Sequence, residues 1–428
     1  MRLNVATSST TAIKVRGLIQ QKQQCQKQIF HYIRPTSSVL SASLSSCASP
    51  KVVSNQNKYD AQNFLKSIAI FSNLKSSKSF STSSPFNNKT SQLGFADTPL
   101  GKPECASLLD GLDLYTVPAE DDDHPITAYG INSSDISSEN NNERKIILLL
   151  HGRTWSSVPV YHLLGGPSHS KTHESRSTME ALYNAGLQPY ALDFRGFGGT
   201  PPDEHNWVEP NRCVKDAQSV LSWIAARHGL RHHVEDEEDG QGRSYHEMPA
   251  LLGWSQGGLV AQLLAQKSPH LISSLTLYGS IYDPQTRYPR PPLYGSSSAL
   301  SSFSKADKTV VVNDYDSAVE DFTIEGSIPP EPAHEFAEAA LKSDPVKVKW
   351  VSLHQFNNID PARVEVPTLV VVGDQDPYAP LRVQGEIFSN LGRAVDRQWS
   401  ILSGADHAAH LLDGRARFVK IVKSFVEI

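Results

Sequence analysis

The sequence contains few cysteines and no long uninterrupted apolar stretch. Its four cysteines, Cys25, Cys47, Cys105 and Cys213, lie far apart and form no C-x-x-C pair, so they predict neither a disulfide framework nor a zinc site. No apolar run approaches the roughly 20 residues that a helix needs to cross a bilayer. The first residues also lack the compact apolar core of a secretory signal. These absences disfavour secretion and a transmembrane segment.

Acidic residues are nearly missing from residues 1–96. This stretch has 12 Lys or Arg and one acidic residue, Asp60, whereas the rest of the chain has 28 Lys or Arg and 44 Asp or Glu. The two parts therefore carry net charges of +11 and −16. The negative charge of the larger part disfavours a nucleic-acid interface there. The basic part is rich in serine and has little apolar surface to bury, so we expect a disordered extension.

The composition of this extension is typical of an organelle transit segment. It begins at Met1, carries scattered Lys and Arg with many hydroxyl groups, and residues 1–34 fit a loose basic amphipathic helix. Import receptors bind helices of this kind, so we expect a mitochondrial location. The alternative is a cytoplasmic location, with an extension that contains no targeting signal.

Residues 110–428 alternate between apolar runs of strand length and longer stretches with helical spacing. The run IILLL at 146–150 has no polar alternation and predicts a central strand that is buried on both faces. The final stretch, from His407 to the C-terminus, has helical spacing. This order predicts an α/β domain with a mostly parallel central sheet flanked by helices. Residues 281–362 break the alternation with a proline-rich entry and helix-like pieces, and we interpret them as a helical lid insertion.

The strongest local motif is Gly253-Trp254-Ser255-Gln256-Gly257. It directly follows the apolar strand PALLGW and directly precedes a helical stretch. A serine on such a tight strand-to-helix turn is held in a strained conformation with its hydroxyl projecting from the sheet. This context predicts that Ser255 is a nucleophile.

A serine nucleophile needs a base, and the base needs an orienting acid. Both are expected downstream, with the acid after a late strand. The strand PTLVVVG leads into Asp374 and Asp376, and we favour Asp376 because it lies at the loop tip and is followed by prolines. Asp374 is expected to cap the turn. Asp283, after the preceding strand, is a further alternative.

Two histidines compete for the role of the base. His407 follows a Gly-containing turn and is expected to open the last helix, whereas His410 lies one turn further along and is expected to pack on a helix face. We therefore favour His407. Backbone N–H groups are expected to stabilise the oxyanion. One follows the nucleophile, at Gln256, and the other lies in the loop after the central strand, at Arg153.

The segments HGRTWSS, LDFRGFGGT, LLGWSQGG, VVGDQDPYAP and GADHAAHLL resemble the α/β-hydrolase superfamily in order and spacing. The resemblance spans residues 146–412 and implies an α/β-hydrolase fold without a metal or organic cofactor. It also implies that Asp193 and Arg195 are structural. Ser255 distinguishes the chain from relatives that use an aspartate nucleophile, and the loop HGRTWSS lacks the H-G-G-G run of one lipase and esterase branch.

We interpret the chain as a serine hydrolase that cleaves a carboxylic ester or thioester through an acyl-enzyme. Acyl transfer and carbon–carbon bond hydrolysis use the same triad and remain alternatives. A non-catalytic ligand-binding protein with this fold is a third possibility. The expected partner is a small acyl substrate that an apolar pocket in the insertion would select, with Tyr282, Tyr288, Tyr294 and Trp350 either lining it or packing on the sheet. The sequence does not predict an oligomeric state.

Overall fold

The computed structural model describes residues 93–132, 144–166, 173–230, 247–288, 310–319, 322–394 and 396–427. The predictions for residues 1–96 therefore lie outside the described residues, apart from the last four positions. Among the described helices, none combines the length and apolar character needed to cross a membrane.

A single mixed sheet organises the described residues. Eight strands are hydrogen-bonded in the order β1-β2-β4-β3-β6-β7-β9-β10, and β5 and β8 form a separate parallel pair. The strands are β1 (Leu112–Pro118), β2 (Pro125–Ile131), β3 (Ile146–Leu150), β4 (Gln188–Leu192), β5 (Trp207–Val208), β6 (Ala250–Trp254), β7 (Leu275–Tyr278), β8 (Lys349–Trp350), β9 (Thr368–Gly373) and β10 (Arg397–Leu402).

The strand directions agree with the sequence analysis. β1 pairs antiparallel with β2, and β2 pairs antiparallel with β4, whereas the other neighbours in the large sheet are parallel. β3 lies between β4 and β6, and all five of its residues are buried. The predicted α/β-hydrolase fold with a mostly parallel central sheet is confirmed.

Helices cover both faces of this sheet. They are α1 (Ser157–Tyr161), α2 (Thr178–Asn184), α3 (Pro210–His228), α4 (Gln256–Lys267), α5 (Tyr315–Val319), α6 (Pro330–Ser343), α7 (Leu381–Asn390) and α8 (Arg415–Val426). Alternate residues of β3 point to opposite faces: Leu148 and Leu150 pack in one apolar cluster with α3 and α4, and Ile147 and Leu149 in another with α2 and α8. The continuous apolar run of β3 follows from burial on both sides.

The prediction that His407 opens the final helix is wrong. Helix α8 begins at Arg415, and His407 lies in a turn. In a helix, the carbonyl oxygen of His407 would accept a hydrogen bond from the N–H of Leu411. Here that oxygen accepts from the side chains of Trp254 and Tyr278, and the N–H of Leu411 donates to Ala408 instead. Helical spacing alone did not reveal these distant donors.

The region between β7 and β9 contains the predicted insertion. Its described part includes α5, α6, β8 and two short 3₁₀ turns, at Leu353–Asn358 and Pro361–Arg363. The bounds 281–362 stay a prediction. Tyr282, Tyr288 and Trp350 are buried in the cluster that contains α3 and α4, which favours packing on the sheet over a role in lining a pocket. Tyr294 lies outside the described residues.

Candidate active site

Ser255 occupies a strained turn between β6 and α4. Its φ is +57° and its ψ is −121°, a conformation that costs a residue with a side chain about 1–3 kcal/mol. Glycines make room for this turn: a Cβ on Gly253 would overlap the carbonyl oxygen of Gly257, and a Cβ on Gly257 would overlap that of His151. The backbone N–H of Ser255 donates to the carbonyl oxygen of Tyr278 (3.0 Å), which fixes the turn to β7.

Asp376 and His407 are joined by a buried hydrogen bond. Oδ2 of Asp376 lies 2.8 Å from Nδ1 of His407, and the two side chains are 0% and 3% exposed. The other carboxylate oxygen, Oδ1, accepts hydrogen bonds from the backbone N–H groups of Tyr378 (2.8 Å) and Ala379 (2.9 Å). The proline-containing loop after β9 thus orients the carboxylate, which in turn orients the imidazole.

The residue before Ser255 links the nucleophile turn to His407. The rings of Trp254 and His407 pack 5.2 Å apart, and Nε1 of Trp254 donates to the carbonyl oxygen of His407 (2.9 Å). The Tyr278 hydroxyl, at the end of β7, donates to the same oxygen (3.1 Å). The sequence analysis missed both residues, because their spacing from His407 gives no local signal.

Gly279 is the close neighbour of the Asp376–His407 pair. A Cβ on Gly279 would lie 3.1 Å from Oδ2 of Asp376 and 3.2 Å from Nδ1 of His407, and its φ is +50°. Both the backbone conformation and the close approach favour glycine here. Ser255, Asp376 and His407 thus lie on loops at the carboxyl ends of β6, β9 and β10, with the last two in direct contact.

The two alternative acids, Asp374 and Asp283, accept hydrogen bonds within turns. Asp374 is exposed and accepts a hydrogen bond from the N–H of Gly404 (2.8 Å). The carboxylate of Asp283 accepts from the N–H of Gln285 (2.9 Å) and the hydroxyl of Thr286 (2.9 Å). These local bonds agree with the preference for Asp376.

His410 is held in an aromatic environment. Its ring lies among Tyr161, Trp254, Tyr278 and Phe418, with Nδ1 2.9 Å from the Tyr278 hydroxyl. Burial and the nearby charge of His407 lower the pKa of His410 to about 3. It is therefore neutral at physiological pH and packs against the core, although on a turn and not on the predicted helix face.

Of the two residues predicted for the oxyanion hole, one directly follows the nucleophile and the other lies in the loop after β3. Gln256 is the first residue of α4, and Arg153 follows Gly152 in the loop after β3. A Cβ on Gly152 would lie 3.2 Å from Cβ of Ser255, so this loop reaches the nucleophile closely. The Arg153 carbonyl oxygen accepts a hydrogen bond from Nε1 of Trp350 (3.0 Å), and its side chain is exposed.

His151 helps to shape this loop from within. Burial lowers its pKa to about 3. Its Nε2 accepts from the backbone N–H of Phe194 (3.1 Å), so its Nδ1 carries the proton and donates to the carbonyl oxygen of Gly152 (3.0 Å). A neutral imidazole with a fixed tautomer therefore joins the loop after β3 to the loop after β4.

Asp193 and Arg195 make structural contacts away from the reacting groups. Asp193 accepts hydrogen bonds from the N–H of Ser157 (2.7 Å) and the hydroxyl of Tyr129 (2.6 Å). Arg195 is buried and forms ion pairs with Asp122 and Asp216. In the part of the chain that the structure describes, no group of three or more His, Cys, Asp or Glu side chains is placed to hold a metal ion.

Comparison with known families decides the classification. The model of the family described as serine aminopeptidase, S33, matches residues 141–413. The chain belongs to this family. Its members are α/β-hydrolases, so the match confirms the predicted superfamily and the prediction of an enzyme. No curated protein matches this hydrolase in sequence.

The solved structures that are similar to this S33 hydrolase include three enzymes whose names describe action on esters. Naproxen esterase from Bacillus subtilis is 13% identical, covering 75% of this chain and 94% of its own, with a TM-score of 0.46. The Paleococcus ferrophilus monoacylglycerol lipase is 17% identical (66% and 96% covered, TM-score 0.40). A thermophilic esterase from Thermogutta terrifontis is 15% identical (74% and 100% covered, TM-score 0.46). At these scores they carry no argument about function.

Proposed function

We propose that this hydrolase cleaves a carboxylic ester or thioester through a covalent acyl-enzyme on Ser255. The observation that carries the proposal is the buried 2.8 Å hydrogen bond between Asp376 and His407, whose ring packs against Trp254, the residue before the serine in the strained strand-to-helix turn. A serine hydroxyl is a weak nucleophile at neutral pH and needs such a base. The insertion above the sheet would select the acyl group.

The hydrogen bond to Asp376 assigns different tasks to the two nitrogens of His407. Nδ1–H donates to the carboxylate, which leaves Nε2 to take the proton of the Ser255 hydroxyl as the oxygen attacks the acyl carbonyl. The backbone N–H groups of Arg153 and Gln256 are the proposed donors to the oxyanion. His407 then protonates the leaving alkoxide or thiolate. Water, deprotonated by His407, attacks the acyl carbonyl and releases the acid and Ser255.

A panel of p-nitrophenyl esters with increasing acyl length tests this proposal on the full chain. We expect hydrolysis by the wild-type protein, a preferred chain length, and labelling by a fluorophosphonate that is lost in Ser255→Ala. Equal labelling of both proteins, or no labelling of either, contradicts the proposal. The preferred acyl chain length indicates the length of the acyl-binding pocket.

Peptide hydrolysis is the second candidate, and the family description favours it. Serine aminopeptidases release N-terminal residues, and the same triad can attack an amide. Aminoacyl p-nitroanilides, compared with p-nitrophenyl esters of matched size, separate the two. A higher kcat/KM for the anilides would favour the peptidase. Product analysis with added alcohol or thiol acceptors tests acyl transfer, and a 1,3-diketone substrate tests carbon–carbon bond hydrolysis.

We further propose that residues 1–96 direct the protein to mitochondria. The support is the net charge of +11 and the serine-rich composition of this segment. A fluorescent reporter fused to residues 1–96 is expected to accumulate in mitochondria. A diffuse cytosolic signal contradicts the proposal and favours the cytoplasmic alternative.

A further inference from the structure

A buried carboxylate from the insertion reaches the loop that follows β3. Asp344 caps the C-terminus of α6, where its N–H donates to the carbonyl oxygen of Ala340 (2.8 Å). Only 3% of its surface is exposed. The side chain points away from its own helix, toward two loops of the sheet domain.

Three hydrogen-bond donors converge on this carboxylate. Oδ2 accepts from the backbone N–H of Ser156 (2.8 Å) and from its hydroxyl (2.7 Å). Oδ1 accepts from the backbone N–H of Gly198 (3.0 Å), in the loop after β4. Leaving a buried carboxylate without these donors would substantially lower the stability of the folded protein. The three hydrogen bonds therefore hold both loops against α6.

The loop after β3 has further fixed points on the insertion. The Arg153 carbonyl oxygen accepts from Nε1 of Trp350, and the ring of Trp155 packs edge-on against Phe336 of α6 at 6.5 Å. Ser157, which follows Ser156, donates its N–H to Asp193 on the sheet side (2.7 Å). Contacts from the insertion thus reach three of the five residues that follow Gly152: Arg153, Trp155 and Ser156.

We propose that Asp344 is a positioning residue for the oxyanion hole: by holding Ser156, it fixes the backbone N–H of Arg153 beside Ser255. This inference rests on the proposed function and deepens it. The insertion then governs stabilisation of the transition state in addition to the choice of substrate. Oxyanion donors act because they are fixed before the reaction, so a small displacement of this loop lowers kcat.

The surroundings of Asp344 act on its ionised form in opposite directions. Burial and, to a smaller extent, the charge of Asp193 raise its pKa, the bonds from Ser156 and Gly198 lower it, and the resulting pKa is about 7. Asp193 is itself buried, and burial raises its pKa to about 6. Only the ionised carboxylate accepts at both oxygens without donating, so the tests below are made above the pKa of Asp344.

Asp344→Asn is the direct test. The amide has the same size, but its NH2 group must face a donor, either at Ser156 or at Gly198. We expect kcat to fall about tenfold or more, with KM for a short ester changed less than about threefold. Inhibition by a boronic acid, whose tetrahedral adduct occupies the oxyanion hole, should weaken by a similar factor. The concentration of active sites is fixed by fluorophosphonate titration.

Asp360→Asn is the matched control. Asp360 lies in the same insertion and accepts a hydrogen bond from the backbone N–H of Ala362 (3.0 Å), but it is exposed. We expect wild-type kcat and boronic acid inhibition in this variant. A purely structural role of Asp344 would lower the melting temperature of Asp344→Asn and leave kcat per titrated site equal to that of the control.

Ser156→Ala decides the question if Asp344→Asn does not fold. It removes one of the three bonds, so kcat should fall about threefold with unchanged KM. Unchanged kcat in the folded variant overturns the proposal. If the wild-type protein shows no hydrolysis that depends on Ser255, the proposed function fails. If the wild type is active and Asp344→Asn equals Asp360→Asn, only the role of Asp344 fails.

Discussion

The loops on the two sides of Ser255 are fixed by different parts of the molecule. The turn that carries His407 is held mainly by sheet residues, through Asp376 after β9 and through Trp254 and Tyr278 at the ends of β6 and β7. The insertion adds a smaller contribution, because its residues Thr323 and Ile324 donate backbone N–H groups to Asp406. The loop that carries Arg153 is held largely by the insertion, through Trp350 and Asp344. The proposed proton transfer therefore depends mainly on contacts within the sheet, and the proposed oxyanion hole depends more on the insertion.

This difference shows that the insertion constrains the two sides to different degrees. Strand ends in a packed sheet are constrained by both faces of the core, so the His407 side tolerates little variation. The insertion is an added element, and its contacts with the oxyanion loop are few hydrogen bonds and one aromatic pair. Changes at Asp344 or Trp350 are thus expected to alter the rate without removing a direct contact of Asp376 or His407.

The largest expected effect comes from Ser255→Ala. It removes the nucleophile that both sides serve, so kcat for a p-nitrophenyl ester should fall about 10⁵-fold to 10⁶-fold, as for other serine triads. Ser389→Ala, at an exposed serine of α7, is the control and should retain wild-type activity. Residual activity near the wild-type level in Ser255→Ala would show that another residue is the nucleophile.

Asp376→Asn tests the sheet side alone. The amide no longer fixes His407 in the tautomer with a proton on Nδ1, so kcat should fall about 10⁴-fold while KM changes little. Asp374→Asn is the matched variant two residues away, and its kcat should change less than about twofold because Asp374 only caps a turn. The reverse order of effects would assign the acid to Asp374.

On the side of the insertion, the buried carboxyl group of Asp344 predicts that the stability of the protein depends on pH. The folded protein raises the pKa of Asp344 from its ordinary value of 3.8 to about 7. The folded state therefore favours the protonated carboxyl. Its contribution to the free energy of unfolding is fully present below the unfolded-state pKa and is lost as the pH rises through about 7.

Asp344→Asn cannot titrate at this position. The difference in unfolding free energy between the wild type and this variant should therefore shrink by about 1–3 kcal/mol from about pH 5 to about pH 8. Urea unfolding at both pH values measures it, with Asp360→Asn showing no such trend. A difference that stays constant or grows with pH contradicts the raised pKa.

Tyr278→Phe is expected to have the smallest effect of the set. It removes one of the two side-chain donors to the His407 carbonyl oxygen and leaves Trp254 in place. We expect kcat to fall about threefold to tenfold, because the imidazole is held less firmly. Tyr282→Phe removes a bond of the same length, 3.1 Å to the carbonyl oxygen of Ile359, and should leave kcat unchanged. Equal kcat in both variants would show that Tyr278 does not position His407.

Much of this organisation could be predicted from sequence because its signals are local. The unbroken apolar run of β3, the glycines around Ser255 and the aspartates after β9 each mark a strand and the turn that follows it. The contact between Asp376 and His407 follows from parallel strands, whose carboxyl ends lie at one edge. The catalytic roles of these residues stay predictions.

The remaining features depend on contacts between distant parts of the chain. The bonds of Trp254 and Tyr278 to His407 span 153 and 129 residues, and that of Ser156 to Asp344 spans 188. No periodicity or motif encodes such pairs. For the same reason, the helical spacing after His407 predicted a helix where the structure has a turn.

A crystal structure of the full chain after reaction with a fluorophosphonate tests the central claim most directly. We expect the phosphorus to be bonded to the Ser255 oxygen, with a phosphonyl oxygen about 2.7–3.1 Å from the backbone nitrogens of both Arg153 and Gln256. Nε2 of His407 should lie within hydrogen-bonding distance of an adduct oxygen, with Nδ1 still bonded to Asp376. An adduct on another residue, or a phosphonyl oxygen directed away from both backbone nitrogens, would contradict the account.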